Sequence, residues 1–283
     1  MDVIKNWIKY VNYPLAMGIT RNSERLHFYK NCIEKQYRPL KQNLEERDEA
    51  LFDILDYAIK NVPYYREVAK ERNIHLSKEN IIEDLKKFPI LTKEIIRKEG
   101  SRLYSTEKIK YSISTSGGST GEPVKLRHDI NLKKRYPGQY FLSYAGYDIG
   151  DKIALLWGSE KDIFQGTIGI RSKISNYFIH RRCFLNSFMM TEDDMRNYIQ
   201  IINRRKPKVI LAYVQSIYEL SQFIRKNQLD IYSPAGIVVS AGTLFPDWKK
   251  EIQTVFKCPI INQYGSRETP GIAISCIESD KLH

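Results

Sequence analysis

From residue 45 to 62 the stretch EERDEALFDILDYAIKNV repeats apolar side chains at Leu51, Leu55, Ala58, Ile59 and Val62. That spacing marks one face of an α-helix. The helix is expected to stop before Pro63, because a residue preceding proline is disfavoured in the α region. SKENIIEDLKKF (77–88) opens on a serine in the N-cap position and ends before Pro89, and TKEIIRKEG (92–100) is closed by Gly100. Residues 1–110 therefore read as a mainly helical amino-terminal region.

Near residue 110 the pattern changes. YSIST (111–115) and PVKLR (123–127) read as strands flanking a glycine-rich loop, and KIALLW (152–157) as a buried strand. TEDDMRNYIQIINRR (191–205) begins with Thr191 as cap and acidic residues in the first turn, then runs as a helix. KVILA (208–212), QSIYELSQFIRKN (215–227), GIVVS (236–240), PDWKKEIQTVFK (246–257) and PIINQY (259–264) continue as strand, helix, strand, helix, strand. Apolar strands alternating with amphipathic helices predict an α/β fold, a mostly parallel sheet with helices on both faces. Residues 111–283 are expected to form this α/β region, the nucleotide-binding one if the motifs described below are counted. Ligands of such sheets bind at the carboxyl ends of the strands, where SAGT (240–243) and QYGSRE (263–268) fall.

Composition narrows the class. With 42% hydrophobic residues over 283 positions, the chain is neither disordered nor short of core material. YVNYPLAMGIT is interrupted by Pro14 and too short for a signal or a membrane span, and no other segment approaches twenty apolar residues. A cytoplasmic protein without a transmembrane segment is expected. The formal charge of +12 is spread over short clusters (KKR at 133–135, RR at 181–182, RRK at 204–206, KK at 249–250). No nucleic-acid-binding motif accompanies them, so they read as solvated faces and helix ends, and no specific nucleic-acid partner is expected. The four cysteines contain no C-x-x-C pair and read as thiols in a reducing compartment. A zinc site from Cys258, Cys276 and His283 is not demanded by the spacing.

The chemistry concentrates in STSGGSTGEP (114–123), with its three glycines and five hydroxyl side chains. Glycines let backbone N–H groups approach a ligand closely, and the usual ligand of such a loop is a phosphate. It is not a Walker A loop, since Glu122 and Pro123 stand where the lysine would be, and it joins two strands rather than opening a helix. A glycine- and serine-rich hairpin without a ligand is the competing reading.

TSGGSTGEPV, SAGTL and NQYGSRE, in this order, together with NVPYYREVAKERNI and IEDLKKFPILTKEIIR (61–97), resemble the adenylate-forming enzymes. The likeness is to their phenylacetate–coenzyme A ligase-like branch, including relatives in capsular polysaccharide biosynthesis, and covers nearly the whole chain. It implies ATP-dependent activation of a small-molecule carboxylic acid as an acyl-adenylate, then transfer to coenzyme A or another acceptor. By the same likeness Ser116, Gly117, Gly118, Ser119, Thr120 and Gly121 hold the β- and γ-phosphates. Ser240, Ala241 and Gly242 pass the adenine and the acyl pocket, and Asn262, Gln263, Tyr264, Gly265 and Ser266 form the adenine-side segment. Glu268 coordinates Mg²⁺ and, with Thr120, is the catalytic residue implied.

Two positions depart from the family pattern: Arg267 stands in place of a threonine that contacts the α-phosphate, and Thr243 in place of an acidic residue. The chain stops at SCIESDKLH, where the resemblance implies a ribose-binding aspartate, a hinge and a small carboxy-terminal domain still to come. It is therefore expected to be an amino-terminal part, truncated before that domain. A sheet edge near GIAISC is expected to be unpaired, which invites a homodimer. The acyl pocket is expected from residues 155–159, 240–244 and those after Tyr264, with Trp157 mainly a core aromatic. Two other classes remain: a non-catalytic nucleotide-binding or scaffold module, and a basic protein for polyanions.

Overall fold

The computed structural model describes residues 3–19, 23–115, 125–130, 138–158 and 181–283. They fall into two compact units, one of residues 31–134 and the other of residues 1–30 with 135–283.

In the unit of residues 31–134, the long helix spans Leu40–Asn61 and ends at Val62, whose φ of −113° and ψ of 115° are the extended conformation Pro63 imposes. Pro63 then opens the helix Pro63–Glu71. Thr92 caps Lys93–Glu99 by accepting the Ile95 N–H, and Gly100 closes it at φ +51°. The serine expected to cap the next segment does not. Ser77 donates its N–H to Asp84 Oδ2 at 2.8 Å, and the α-helix proper starts only at Ile81, after a tight turn over Lys78–Asn80. The Ser77 hydroxyl donates to the Glu79 carboxylate instead of accepting a helix N–H. Strands β1 (Tyr111–Thr115) and β2 (Lys125–Asp129) pair antiparallel from Tyr111↔Asp129 to Thr115↔Lys125. Arg127 lies over the rings of Tyr104 and Tyr111, 3.8 and 4.5 Å from their centroids.

The other unit is built on a sheet. Strands β3 (Ile153–Trp157), β4 (Arg182–Asn186), β5 (Val209–Tyr213), β6 (Gly236–Ser240), β7 (Ile260–Tyr264) and β8 (Ala273–Ile274) lie in the order β4-β3-β5-β6-β7-β8. All neighbours are parallel except β7 and β8. Alternate residues serve opposite faces. Ala154 and Leu156 join Ile199, Ile202, Ile217 and Phe256 on one side, while Ile153 and Leu155 join Phe141 and Leu142 on the other. The first face carries the helices Glu192–Arg205, Val214–Lys226 and Pro246–Phe256, and the second carries Gly138–Ser143. Strand β4 was not legible: only Leu185 is fully buried, so this edge strand lacks a continuous apolar run.

The edge at 271–276 differs from expectation. Ile274 exchanges two main-chain hydrogen bonds with His283, at 2.9 and 3.2 Å, so the chain folds back over the outer side of β8. Among the described residues, no helix is long and apolar enough to cross a membrane.

Candidate functional site

The chain passes from β3 to β4 on one side, then returns through Glu192–Arg205 to β5 on the other side of β3. Where the direction of travel reverses, a parallel sheet opens a crevice at its carboxyl ends. Trp157 ends β3 and Tyr213 ends β5, and their rings stack across this point with centroids 4.2 Å apart. Trp157 also packs against the core of the second face, as its core reading implied.

Strand β6 ends on Ser240, which is buried, followed by Ala241 at φ +60°. A left-handed alanine costs on the order of 1 kcal/mol, so the surroundings must hold it there. Gly242 follows, where an added Cβ would lie 3.4 Å from that of Val214, an ordinary van der Waals contact.

Ala241, Gly242 and Thr243 border a pocket of about 470 Å³. Its other walls come from Ser187 and Phe188 after β4, from Tyr213 and the first turn of Val214–Lys226, and from Trp248, which stacks on Tyr218 at 4.3 Å. Of the segments expected to line an acyl pocket, the 241–243 turn lines this cavity, while among the described residues 155–158 and those after Tyr264 do not. Two polar features lie in its wall beside the Glu219 carboxylate. The helix Val214–Lys226 begins directly after β5 without a side-chain cap. The buried Ser187 hydroxyl has no hydrogen-bond partner among the described residues.

One strand over, β7 delivers the second segment. Asn262 donates its N–H to Ser275 Oγ and accepts the Ser275 N–H, both at 2.8 Å, which pins the strand end. Tyr264 is exposed at the carboxyl end, its carbonyl accepting the Ile272 N–H at 2.9 Å. At Gly265 a Cβ would fall 2.7 Å from the Gly271 nitrogen, so only glycine lets the two backbones pass. Ser266 donates its N–H to the Thr269 carbonyl and accepts the Thr269 N–H on its hydroxyl, both at 3.1 Å. That turn presents Arg267 and Glu268 at the surface.

Ser240, Ala241 and Gly242 thus stand at the end of β6, and Asn262, Gln263, Tyr264, Gly265, Ser266 and Glu268 at the end of β7, the parallel strand paired with it. The loop Ser116–Gly121, Thr120 included, lies outside the described residues. Among the described residues no three His, Cys, Asp or Glu side chains cluster as a metal site. Cys276 and His283 meet at 3.2 Å, but the zinc set with Cys258 does not form. A lone exposed carboxylate such as Glu268 does fit Mg²⁺, which keeps its waters and takes phosphate oxygens alongside one protein ligand. Sequence reasoning missed Ser187 and Phe188, which follow an unrecognised strand, and the partnership of Trp157 with Tyr213.

No family model matches the chain. It is 25% identical over 251 residues to protein CapK of Staphylococcus aureus, covering 86% of this chain and 54% of that protein. It is 24% identical over 238 residues to the phenylacetate–coenzyme A ligase of Pseudomonas putida, covering 80% of this chain and 51% of that enzyme. Among solved structures, 2-hydroxyisobutyryl-CoA ligase in complex with 2-HIB-AMP and CoA superposes with a TM-score of 0.60, at 14% identity, over 86% of this chain and 54% of that one. An open conformation of the same ligase gives 0.61 at 13% identity, over 86% and 59%. The chain spans about half the length of the curated relatives it matches.

Proposed function

We propose, for a chain that belongs to the adenylate-forming enzymes on their phenylacetate–coenzyme A ligase-like branch, that it carries the nucleotide- and acid-binding part of an AMP-forming acid ligase. The observation that supports this reading is that two segments continue the carboxyl ends of paired parallel strands, 240–242 at the end of β6, whose Ala241 and Gly242 line the pocket, and 262–268 at the end of β7. In this account a carboxylate oxygen of the acid attacks the α-phosphorus of ATP. The bond to the β-phosphate breaks, and pyrophosphate leaves with the electron pair.

Each residue then has a task. The exposed Tyr264 ring offers a face for adenine to stack on, and Asn262 and Gln263 meet its polar edge. The Ala241–Gly242 turn runs between nucleotide and acid, its missing side chain leaving room for both. The acid enters the pocket at Phe188, Tyr213 and Trp248, where the uncapped helix start and the Ser187 hydroxyl orient its carboxylate. Ser116–Gly121 hold the β- and γ-phosphates, with Thr120 beside the reacting phosphate. Glu268 holds Mg²⁺. The metal, when bound, offsets the charge that develops on the phosphates. Coenzyme A or another acceptor takes the acyl group in the whole protein.

The test is acid-dependent exchange of labelled pyrophosphate into ATP, run over aryl and fatty acids. Exchange with one class identifies the acid, and absence of exchange with every acid overturns the catalytic reading. A second reading, a nucleotide-binding module without adenylation, is favoured by Arg267, exposed where the family's threonine would contact the α-phosphate. In that case ATP binds but no acid promotes exchange.

A further inference from the structure

The opposite edge of the same sheet holds a second pocket, of about 850 Å³, at the amino ends of the strands. Lys152 stands immediately before β3, Arg181 immediately before β4, and Arg204 with Arg205 in the last turn of the helix that leads to β5. All four line the cavity, and among the described residues that line it there is no carboxylate. The other described residues of the wall are Ile4, Ile8, Ile201 and Cys183.

A helix carboxyl terminus accounts for two of these cations, since it favours positive charge in its last turn. It does not account for Lys152 and Arg181, which come from strand starts. Arg181 is held in place by its own backbone, at φ +47°, and by donating Nη1 to the Gly150 carbonyl at 2.9 Å. A left-handed arginine is an uncommon and costly conformation, kept here at the mouth of a pocket. The nearby carboxylates of Asp148 and Asp151 are engaged by Lys9 and Lys5, at 2.6 and 2.9 Å. Four like charges around one cavity repel each other and focus a positive potential inside it. The thiol of Cys183 stays protonated: burial raises it, against the pull of Arg205, so it is part of the wall rather than a nucleophile.

We infer that this pocket is a binding site for a small anionic amphiphile, with its charged head against Lys152, Arg181, Arg204 and Arg205 and its apolar tail against Ile4, Ile8 and Ile201. The site is separate from the nucleotide end of the sheet and stands independently of the ligase reading. The concave form and the isoleucine wall favour a small ligand with a tail over an extended polyanion, which a convex basic surface would suit equally well.

The test is titration calorimetry with hexyl phosphate, inorganic phosphate and hexanol. Hexyl phosphate is expected to bind at least roughly tenfold more tightly than inorganic phosphate, as burial of even two methylenes requires, and hexanol not measurably. The double variant Lys152→Gln/Arg204→Gln should weaken hexyl phosphate by roughly tenfold or more, the scale of losing charge-assisted hydrogen bonds. Ile201→Asn should weaken hexyl phosphate while leaving inorganic phosphate unchanged, and Mg·ATP should not compete. Equal binding of hexyl and inorganic phosphate, unaltered affinity in the double variant, competition by Mg·ATP, or no binding at several millimolar would each overturn the assignment.

Discussion

The rings of Trp157 and Tyr213 stack 4.2 Å apart, at an angle of 38°, across the carboxyl ends of two neighbouring parallel strands. They join the core of the sheet to the pocket, since Trp157 packs on the core and Tyr213 lines the cavity. Replacing Tyr213 by alanine should therefore lower stability by about 2 kcal/mol, part lost contact area and part the pair's own attraction of about 0.5–1.5 kcal/mol. Urea unfolding measures the loss, and a red-shifted tryptophan emission should accompany it. An unaltered midpoint would remove this pair from the architecture of the site.

Gly265→Ala tests the loop after β7. The added Cβ meets the Gly271 nitrogen at 2.7 Å, a backbone atom that cannot swing aside as a side-chain end would. The loop must open, at a cost of about 1–3 kcal/mol. In a nucleotide titration the variant should lose affinity, with the turn that carries Glu268 displaced.

Much of this was legible in the sequence, and the reason is local. Thr191 and Asp194 form a reciprocal capping box, which is written in four consecutive residues, and Gly236–Ser240 is an unbroken apolar strand buried on both faces. What escaped was assembled over distance. Arg182–Asn186 is half-exposed and begins with a charge, so its strand character comes from pairing with β3 rather than from its own pattern. Ser77 looked like a cap, but its hydroxyl donates to Glu79 and its N–H to Asp84, seven residues on. The stacked aromatics and the pocket behind Ser187 draw on residues from four separate elements, which no spacing rule connects. The basic clusters at 181–182 and 204–206 read as solvated ends because neither shows that Lys152 joins them in one cavity.

The capping box itself is open to measurement. Thr191→Ala removes the acceptor of the Asp194 N–H, and Asp194→Ala removes the reciprocal bond to the Thr191 N–H at 3.1 Å. Each should cost about 1 kcal/mol in chemical denaturation. Because the two act together, the double variant should cost less than the sum.

Acid should act on the unit of residues 31–134 through Asp84. The hydrogen bond from Lys87, then that from the Ser77 N–H, hold its carboxyl below the usual carboxylate range. A depressed folded pKa contributes stability that is present above the unfolded value of about 4 and is lost as pH falls through the folded value. Thermal unfolding from pH 5 down to 2.5 should show that loss, and Asp84→Asn should flatten the curve in that window. A wild-type curve already flat there would contradict the assignment.

The central claim is that Tyr264, Gly265 and Glu268 form the nucleotide end of the site, and calorimetric titration of Mg·ATP tests it most directly. Saturable binding is expected in the micromolar-to-millimolar range usual for metabolite sites, roughly 1 μM to 1 mM. Tyr264→Ala should weaken it by roughly tenfold or more, the scale of a lost base–aromatic stack. Glu268→Gln should weaken Mg·ATP more than metal-free ATP, because only the former uses the carboxylate. Absence of binding at several millimolar, or equal affinity of wild type and Glu268→Gln for Mg·ATP, would contradict the account.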